Sequence, residues 1–220
     1  MTPQEAMRDF DSRYPAMADL RNRAFRRMPK FAFEYLDGGC NEDVNLDKNI
    51  SDIQRVELEP RYLTPPPGYD ISTTLFGETY NAPFGVAPVG LQGLMWPNSP
   101  IILAKAARRH NVPFCLSTVT TASIEQVAEA TDGKAWFQLY YPAKDKILFD
   151  IMDRAHSNEY KVFVALADVP TFGYRPRDIR NGLAMPPKMT LANILQMFMN
   201  PTWAFNSCLL YTSPSPRDRG

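Results

Sequence analysis

The chain has no excess of either charge: 24 basic and 24 acidic residues cancel over its 220 positions. Nucleic acids and anionic membrane surfaces select basic proteins, so the balance points to no nucleic-acid partner. No stretch reaches the roughly 18 consecutive apolar residues of a membrane-spanning helix. The opening segment, Met1 to Asp11, is polar and lacks a signal peptide's apolar core, which fits a cytoplasmic protein. Cysteine is scarce. Cys40, Cys115 and Cys208 show neither paired nor metal-like spacing, so neither a disulfide scaffold nor a Cys/His metal site is expected. Histidine is scarcer, with His110 and His156 only. Both fall late in helical patterns, where they read as surface or capping residues, so no His general base faces the expected site. Neither a Gly-Lys-Ser/Thr P-loop nor a Gly-x-Gly-x-x-Gly fingerprint occurs.

What is present suits a folded domain: 45% hydrophobic and 22% charged residues are enough to bury a core. Proline is the one excess, with 20 residues crowded into 60–100 and 170–220, which therefore read as loop-rich. Residues 207–220 carry no helical or strand period. Cys208 to Asp218 resembles the conceptual translation of a transposase-type sequencing-library adapter over eleven consecutive residues, so 207–220 read as a non-native tail.

Residues 16–27 form a charged helix candidate. Pro29 suits the first turn of a second, carrying Phe31, Phe33, Tyr35 and Leu36 and stopped by Gly38-Gly39; 42–53 is a third candidate. Residues 57–83 are a Pro-rich connection with short strand candidates. The pattern then becomes regular. Apolar runs at Phe84–Pro88, Phe114–Ser117, Ala135–Tyr140 and Val162–Ala167 alternate with helical segments. Ser99-Pro100 reads as a cap and first-turn proline, Ser123 with Gln126 as a capping box, and Ile147, Leu148, Ile151, Met152 and Ala155 as a helical stripe. The fourth run is continuously apolar, as a buried parallel strand should be. Such alternation predicts an α/β fold with a parallel sheet, for which a doubly wound sheet and a barrel both fit. A polar, Pro-rich loop (171–188) follows. After it a helix presents Leu191, Ile194, Leu195 and Phe198 on one face, which reads as core, with a membrane-surface patch as the alternative.

In parallel α/β folds ligands bind at the carboxyl ends of the strands. Those ends carry Pro88-Val89-Gly90, Ser117, Gln138, Tyr140 and Asp168. Gly90 lets a flat ligand approach the backbone, and Ser117 and Gln138 can hydrogen-bond a polar heterocycle edge. Taken singly, Gly90 is as well explained by a turn and Tyr140 by packing; their shared location is what favours a site.

Six segments in order carry a resemblance: Met28-Pro29-Lys30 through Tyr35-Leu36-Asp37-Gly38-Gly39; Ser72 to Gly77; Ala87-Pro88-Val89-Gly90-Leu91-Gln92-Gly93; Leu116-Ser117-Thr118; Trp136-Phe137-Gln138-Leu139-Tyr140; and Asp178-Ile179-Arg180-Asn181-Gly182. Over residues 18–203 the chain resembles the FMN-dependent 2-hydroxy-acid oxidases and dehydrogenases, a family that includes glycolate oxidase, L-lactate dehydrogenase and mandelate dehydrogenase. The resemblance implies a TIM (β/α)8 barrel, of which the first four β/α units are present, preceded by an N-terminal helical extension. Residues 1–83 would be the extension and connection, and 84–206 the first half of the barrel. It implies FMN as cofactor, with Pro88, Val89 and Gly90 facing the flavin ring, Ser117 and Gln138 bonding its polar edge, and Leu166 standing where many members have Thr. Tyr35 and Tyr140 would bind the substrate's carboxylate and hydroxyl region, and Arg175 would add positive charge.

The implied reaction is oxidation of a small L-2-hydroxy acid, with oxygen, a quinone or a cytochrome as electron acceptor, in a homo-oligomer. A different FMN- or phosphate-binding barrel and a catalytically dead binding domain are the alternatives. The family's flavin-contacting Lys, catalytic His, substrate-binding Arg and phosphate-binding segments lie in a second half that this chain does not contain, so the chain is expected to be inactive. Trp96-Pro97 replaces a frequent His-Pro and marks a divergent subgroup. Residues 189–199 fall where some members attach to membranes, and Met189, Met197, Phe198 and Met199 would suit peripheral attachment to the inner membrane.

Overall fold

A computed structural model describes residues 3–60, 62–63, 68, 70–167, 173–183 and 188–212. The amino-terminal region holds α1 (Pro3–Arg13), α2 (Met17–Arg27), α3 (Lys30–Asp37) and α4 (Val44–Gln54), then a hairpin of β1 (Thr73–Leu75) and β2 (Glu78–Tyr80). The expected helices at 16–27, after Pro29 and at 42–53 correspond to α2, α3 and α4. Helix α1 was not expected from the sequence; Met7 and Phe10 are its only large apolar residues.

The alternating region holds α5 (Gln92–Met95), α6 (Ser99–His110), β3 (Cys115–Ser117), α7 (Ile124–Thr131), β4 (Trp136–Leu139), α8 (Asp145–Ser157) and β5 (Val162–Ala165). The strands form a parallel sheet in the order β3-β4-β5. The first apolar run does not make a full strand. It joins this sheet through one parallel bridge, Val86 to Phe114. The regular sheet therefore has three strands plus a bridge rather than four equal strands. Helices α9 (Pro176–Arg180), α10 (Leu191–Met199) and α11 (Pro201–Thr212) follow. Helix α9 lies inside the segment read as a loop, where Pro176 takes the first helical position.

Local signals explain the boundaries. Ser123 caps α7 by accepting from the Gln126 amide at 3.1 Å, and the Gln126 side chain accepts from the Ser123 amide at 3.0 Å. Ser99 is no cap. Asn98 precedes α6 in the left-handed region, and the Ser99 hydroxyl instead donates to the Gln92 carbonyl at 2.7 Å, tying α5 to α6.

Register decides the two sheet faces. Leu116 pairs with Phe137, and Phe137 with Phe163; Ser117 pairs with Gln138 one residue on. Side chains alternate along a strand, so Leu116, Phe137 and Phe163 share one face and Ser117 and Gln138 the other. On the apolar face Leu116 and Phe137 are buried with Phe114, Ala104, Ala107, Val127, Ala128, Ala155 and Tyr160, contributed largely by α6, α7 and α8. A second cluster gathers Met28, Phe31, Ala32, Phe33, Met95 and Trp203, joining α3, α5 and α11.

Two expectations of burial fail, at β5 and at α10. Strand β5 is only half-buried, with Phe163 38% exposed, because among the described residues it has a strand neighbour on one side only. In α8 Ala155 is buried, but Ile147 and Met152 are exposed. In α10 Leu191 is 81% and Phe198 77% exposed, so that stripe is not core; the buried residue of this helix is Asn193. Helix α11 also runs through Thr212, so residues 207–212 are helical despite their lack of period.

Phe137→Ala removes a fully buried ring and should lower unfolding free energy by about 3–5 kcal/mol. Ile147→Ala, at a 46% exposed position, should change it by no more than roughly 0.5 kcal/mol. Urea denaturation of the two variants checks where the core lies.

Candidate functional site

The strand ends supply the first part of the site. The Ser117 hydroxyl donates to Gln138 Oε1 at 3.2 Å and accepts from the Val119 amide at 3.2 Å. Both Ser117 and Gln138 are buried. Gln138 Nε2 has no hydrogen-bond partner among the described residues. A buried amide donor without an acceptor is costly, so this atom marks a place where an acceptor edge of a ligand would fit. Thr118 braces the same end: its hydroxyl donates to the Gln138 carbonyl at 2.5 Å and accepts from the Tyr140 amide at 3.0 Å.

The 88–90 segment lies alongside. The Leu91 amide donates to the Val119 carbonyl at 2.7 Å, which fixes Gly90 against the end of β3. A Cβ on Gly90 would stand 3.6 Å from both the Tyr35 hydroxyl and the Val119 carbonyl. Glycine thus leaves a bare backbone face below the Tyr35 phenol. Pro88 is exposed and Val89 half-buried beside it.

Tyr35 comes from α3, far away in sequence. The Arg175 guanidinium lies 5.0 Å from the centre of its ring. Burial raises the Tyr35 pKa, Arg175 opposes the rise, and Asp178 and Tyr140 add to it. Tyr140 lies near enough to add slightly to the rise. Tyr140 is 39% exposed at the end of β4. Leu166 follows β5, half-buried, its amide bonded to the Leu139 carbonyl at 3.2 Å; its side chain offers no hydrogen bond. The structure therefore brings Tyr35, Gly90, Ser117, Gln138, Tyr140 and Arg175 to the carboxyl end of the sheet. Asp168 lies outside the described residues. His110 and His156 are exposed near the carboxyl ends of α6 and α8, which lead into the opposite end of the strands.

Sequence reasoning named Arg175 but missed its contacts and the other groups that hold these side chains. Arg175 Nη2 donates to the carbonyls of Tyr35 (2.6 Å) and Gly38 (3.2 Å), and Nε stands 2.7 Å from Asp178 Oδ2. Arg177 pairs with Asp37 at 3.1 Å and also with Asp43. Asn181 donates to Glu34 at 2.6 Å, and Arg21 grips Asp37 with two bonds of 2.6 and 2.8 Å. The signal was the Asp178–Gly182 segment of the family resemblance; the need for partners comes from burial of Asp178 and Asn181, which the order of residues does not show. Nothing pointed to Trp203, whose indole donates to the Leu94 and Met95 carbonyls at 3.0 and 3.1 Å.

The Arg21 hydrogen bonds, aided by Arg177, hold the Asp37 carboxyl below its ordinary range despite burial. A depressed carboxylate stabilises the fold above its unfolded pKa of about 3.9, and that contribution is lost as pH falls through the folded value. Thermal melts should therefore fall below about pH 4 and do so less steeply in Asp37→Asn, which has no proton to take up.

Residues 24–217 match the family described as FMN-dependent dehydrogenase. L-lactate dehydrogenase from Ectopseudomonas mendocina (strain ymp) is 38% identical over 191 residues, covering 87% of this chain and 50% of the relative. L-lactate dehydrogenase from Xanthomonas campestris pv. campestris (strain 8004) is 37% identical over 205 residues, covering 93% and 52%. Among solved structures, the monotopic membrane protein (S)-mandelate dehydrogenase superposes with a TM-score of 0.79 at 30% identity, covering 86% of this chain and 50% of that one. A mandelate oxidase gives 0.73 at 33% identity, covering 81% and 51%. The chain spans about half the length of the curated relatives it matches. The match over residues 24–217 places the chain in the FMN-dependent dehydrogenase family.

Proposed function

We propose that this chain supplies one wall of an FMN site, as the first four units of a (β/α)8 barrel behind a helical extension at residues 1–83. The whole protein would oxidise a small L-2-hydroxy acid, similar to lactate, glycolate or mandelate, to the 2-oxo acid. The observation that carries this reading is the partnerless, buried Gln138 Nε2, set beside Ser117 at the same strand ends as Gly90, Tyr35 and Tyr140. These residues fit a flavin. Gln138 would donate to a carbonyl edge, Ser117 would support it, and the bare 88–90 backbone would let a flat ring lie close. Leu166 contributes contact without a hydrogen bond.

When bound, FMN accepts the electrons of the oxidation. The protein's own part here is positioning. Tyr35 and Tyr140 would bind the substrate's carboxylate and hydroxyl region, and Arg175 would add positive charge from beside Tyr35. The proton acceptor is neither His110 nor His156, which stand toward the other end of the strands. Residues outside this chain supply it, and the 220-residue chain alone is inactive. The acceptor of electrons is oxygen, a quinone or a cytochrome, and the whole protein is a homo-oligomer.

A second reading concerns location. Helix α10 exposes Leu191, Ile194, Leu195, Phe198 and Met199 and carries no charged residue. No helix among the described residues is long and apolar enough to cross a membrane. We read α10 as a peripheral attachment surface, the monotopic habit of one structural neighbour. Flotation of the whole protein with anionic liposomes tests it. Leu195→Asp with Phe198→Asp should leave the protein in solution, whereas a wild type already in solution would sink the idea.

The activity is tested on the protein read through beyond residue 206. It should purify yellow and bleach without oxygen on addition of L-lactate or (S)-mandelate; a colourless protein, or one no small 2-hydroxy acid bleaches, would overturn the proposal. Gln138→Leu should weaken FMN binding by about tenfold, the effect of one lost hydrogen bond in a buried site, as followed by quenching of flavin fluorescence.

A further inference from the structure

We propose that Asp178 is a positioning residue which, through Arg175, fixes the place and ring orientation of Tyr35. The inference rests on the reading of Tyr35 as a substrate-site residue.

The chain of contacts is continuous. Asp178 sits in α9, 7% exposed, and holds an oxygen 2.7 Å from Arg175 Nε. The same guanidinium spends Nη2 on the carbonyls of Tyr35 and Gly38, at the carboxyl end of α3. Carbonyls there have no partner within their helix, and a cation is the natural one. The guanidinium also lies 5.0 Å from the centre of the Tyr35 ring. One planar group therefore holds both the backbone and the ring of Tyr35, whose hydroxyl reaches the Gly90 face. Lysine has no fork with which to do this.

Stability alone does not account for Asp178. Burial raises its pKa, Arg175 lowers it, and Glu34 raises it. Its second oxygen, Oδ1, has no hydrogen-bond partner among the described residues, and Arg175 Nε approaches without an aligned hydrogen bond. A half-satisfied buried pair is a poor source of stability, and what it secures is a geometry. The neighbouring pairs, Arg177 with Asp37 and Asn181 with Glu34, anchor the same helix without touching the Tyr35 ring.

The test uses the whole protein, as in the activity test, labelled with 3-fluorotyrosine and read by fluorine NMR, with Tyr35→Phe assigning the Tyr35 line. Asp178→Asn should displace that line and lower its titration midpoint, because a negative charge that favours the protonated phenol is gone. Arg175→Met should displace it and raise the midpoint, and the two displacements should not add. Arg177→Met should leave it in place. The buried Tyr80 and Tyr160 report an intact fold throughout. An unmoved Tyr35 line in Asp178→Asn, or an equal displacement in Arg177→Met, overturns the proposal. If Asp178→Asn loses the Tyr80 and Tyr160 lines, Arg175→Lys, which keeps the charge and loses the fork, reads the same clamp: a displaced Tyr35 line supports it and an unmoved one refutes it. None of these readings needs FMN. A failed flavin test leaves the clamp standing, and a failed clamp leaves the bleaching test unchanged.

Discussion

Helix α3 carries Tyr35 but belongs to no strand, so the sheet cannot hold it over the site. A seam of charge does. Arg175, Arg177 and Asn181, from α9 and its flanks, face Glu34, Asp37, Asp43 and two helix-end carbonyls from the amino-terminal region. An isolated surface ion pair is worth about 0–1 kcal/mol, too little to dock a helix. Here the pairs are partly buried, several are multiply bonded, and they share partners. Phe31 and Trp203 meet edge to face at 5.5 Å below them, adding apolar contact. Helix α3 thus brings Tyr35 to the candidate site, where it stands over Gly90 because the seam leaves it little freedom.

The sheet does the complementary work. Parallel pairing of β3 and β4 sets Ser117 beside Gln138 because equivalent register positions share a face. The packed helices α6, α7 and α8 make that face rigid from behind. A polar pair can then be kept buried with one donor unspent, a state that a mobile loop would relieve by turning to water. The three strands and their bridge form only an arc. Among the described residues β5 is an edge strand, so its half-burial follows from that open edge rather than from weak apolar character.

Much of this was legible in the order of residues. The capping box at Ser123 and Gln126, the alternating runs and the strand-end residues are local matters, fixed by neighbours within four positions. Ser99 was misread because its environment is not local: its hydroxyl finds the Gln92 carbonyl seven residues back. Leu191 and Phe198 carry a helical stripe whichever way they face, and a stripe does not say whether protein, lipid or water covers it. Asp178 and Asn181 were legible as one segment of the family resemblance, but their pairing with Arg175 and Glu34 was not.

The sequence by itself determined the parallel α/β class, helices α6, α7 and α8, strands β3, β4 and β5, and which residues reach their ends. Periodicity and capping act over a few residues, so they are written in order along the chain. Only the tertiary structure decided that Tyr35 meets Arg175 across 140 positions, that Gln138 keeps an unpaired donor, and that α10 lies open. Those outcomes depend on which surfaces dock and which backbone carbonyls lack a partner, and neither is a property of any segment alone.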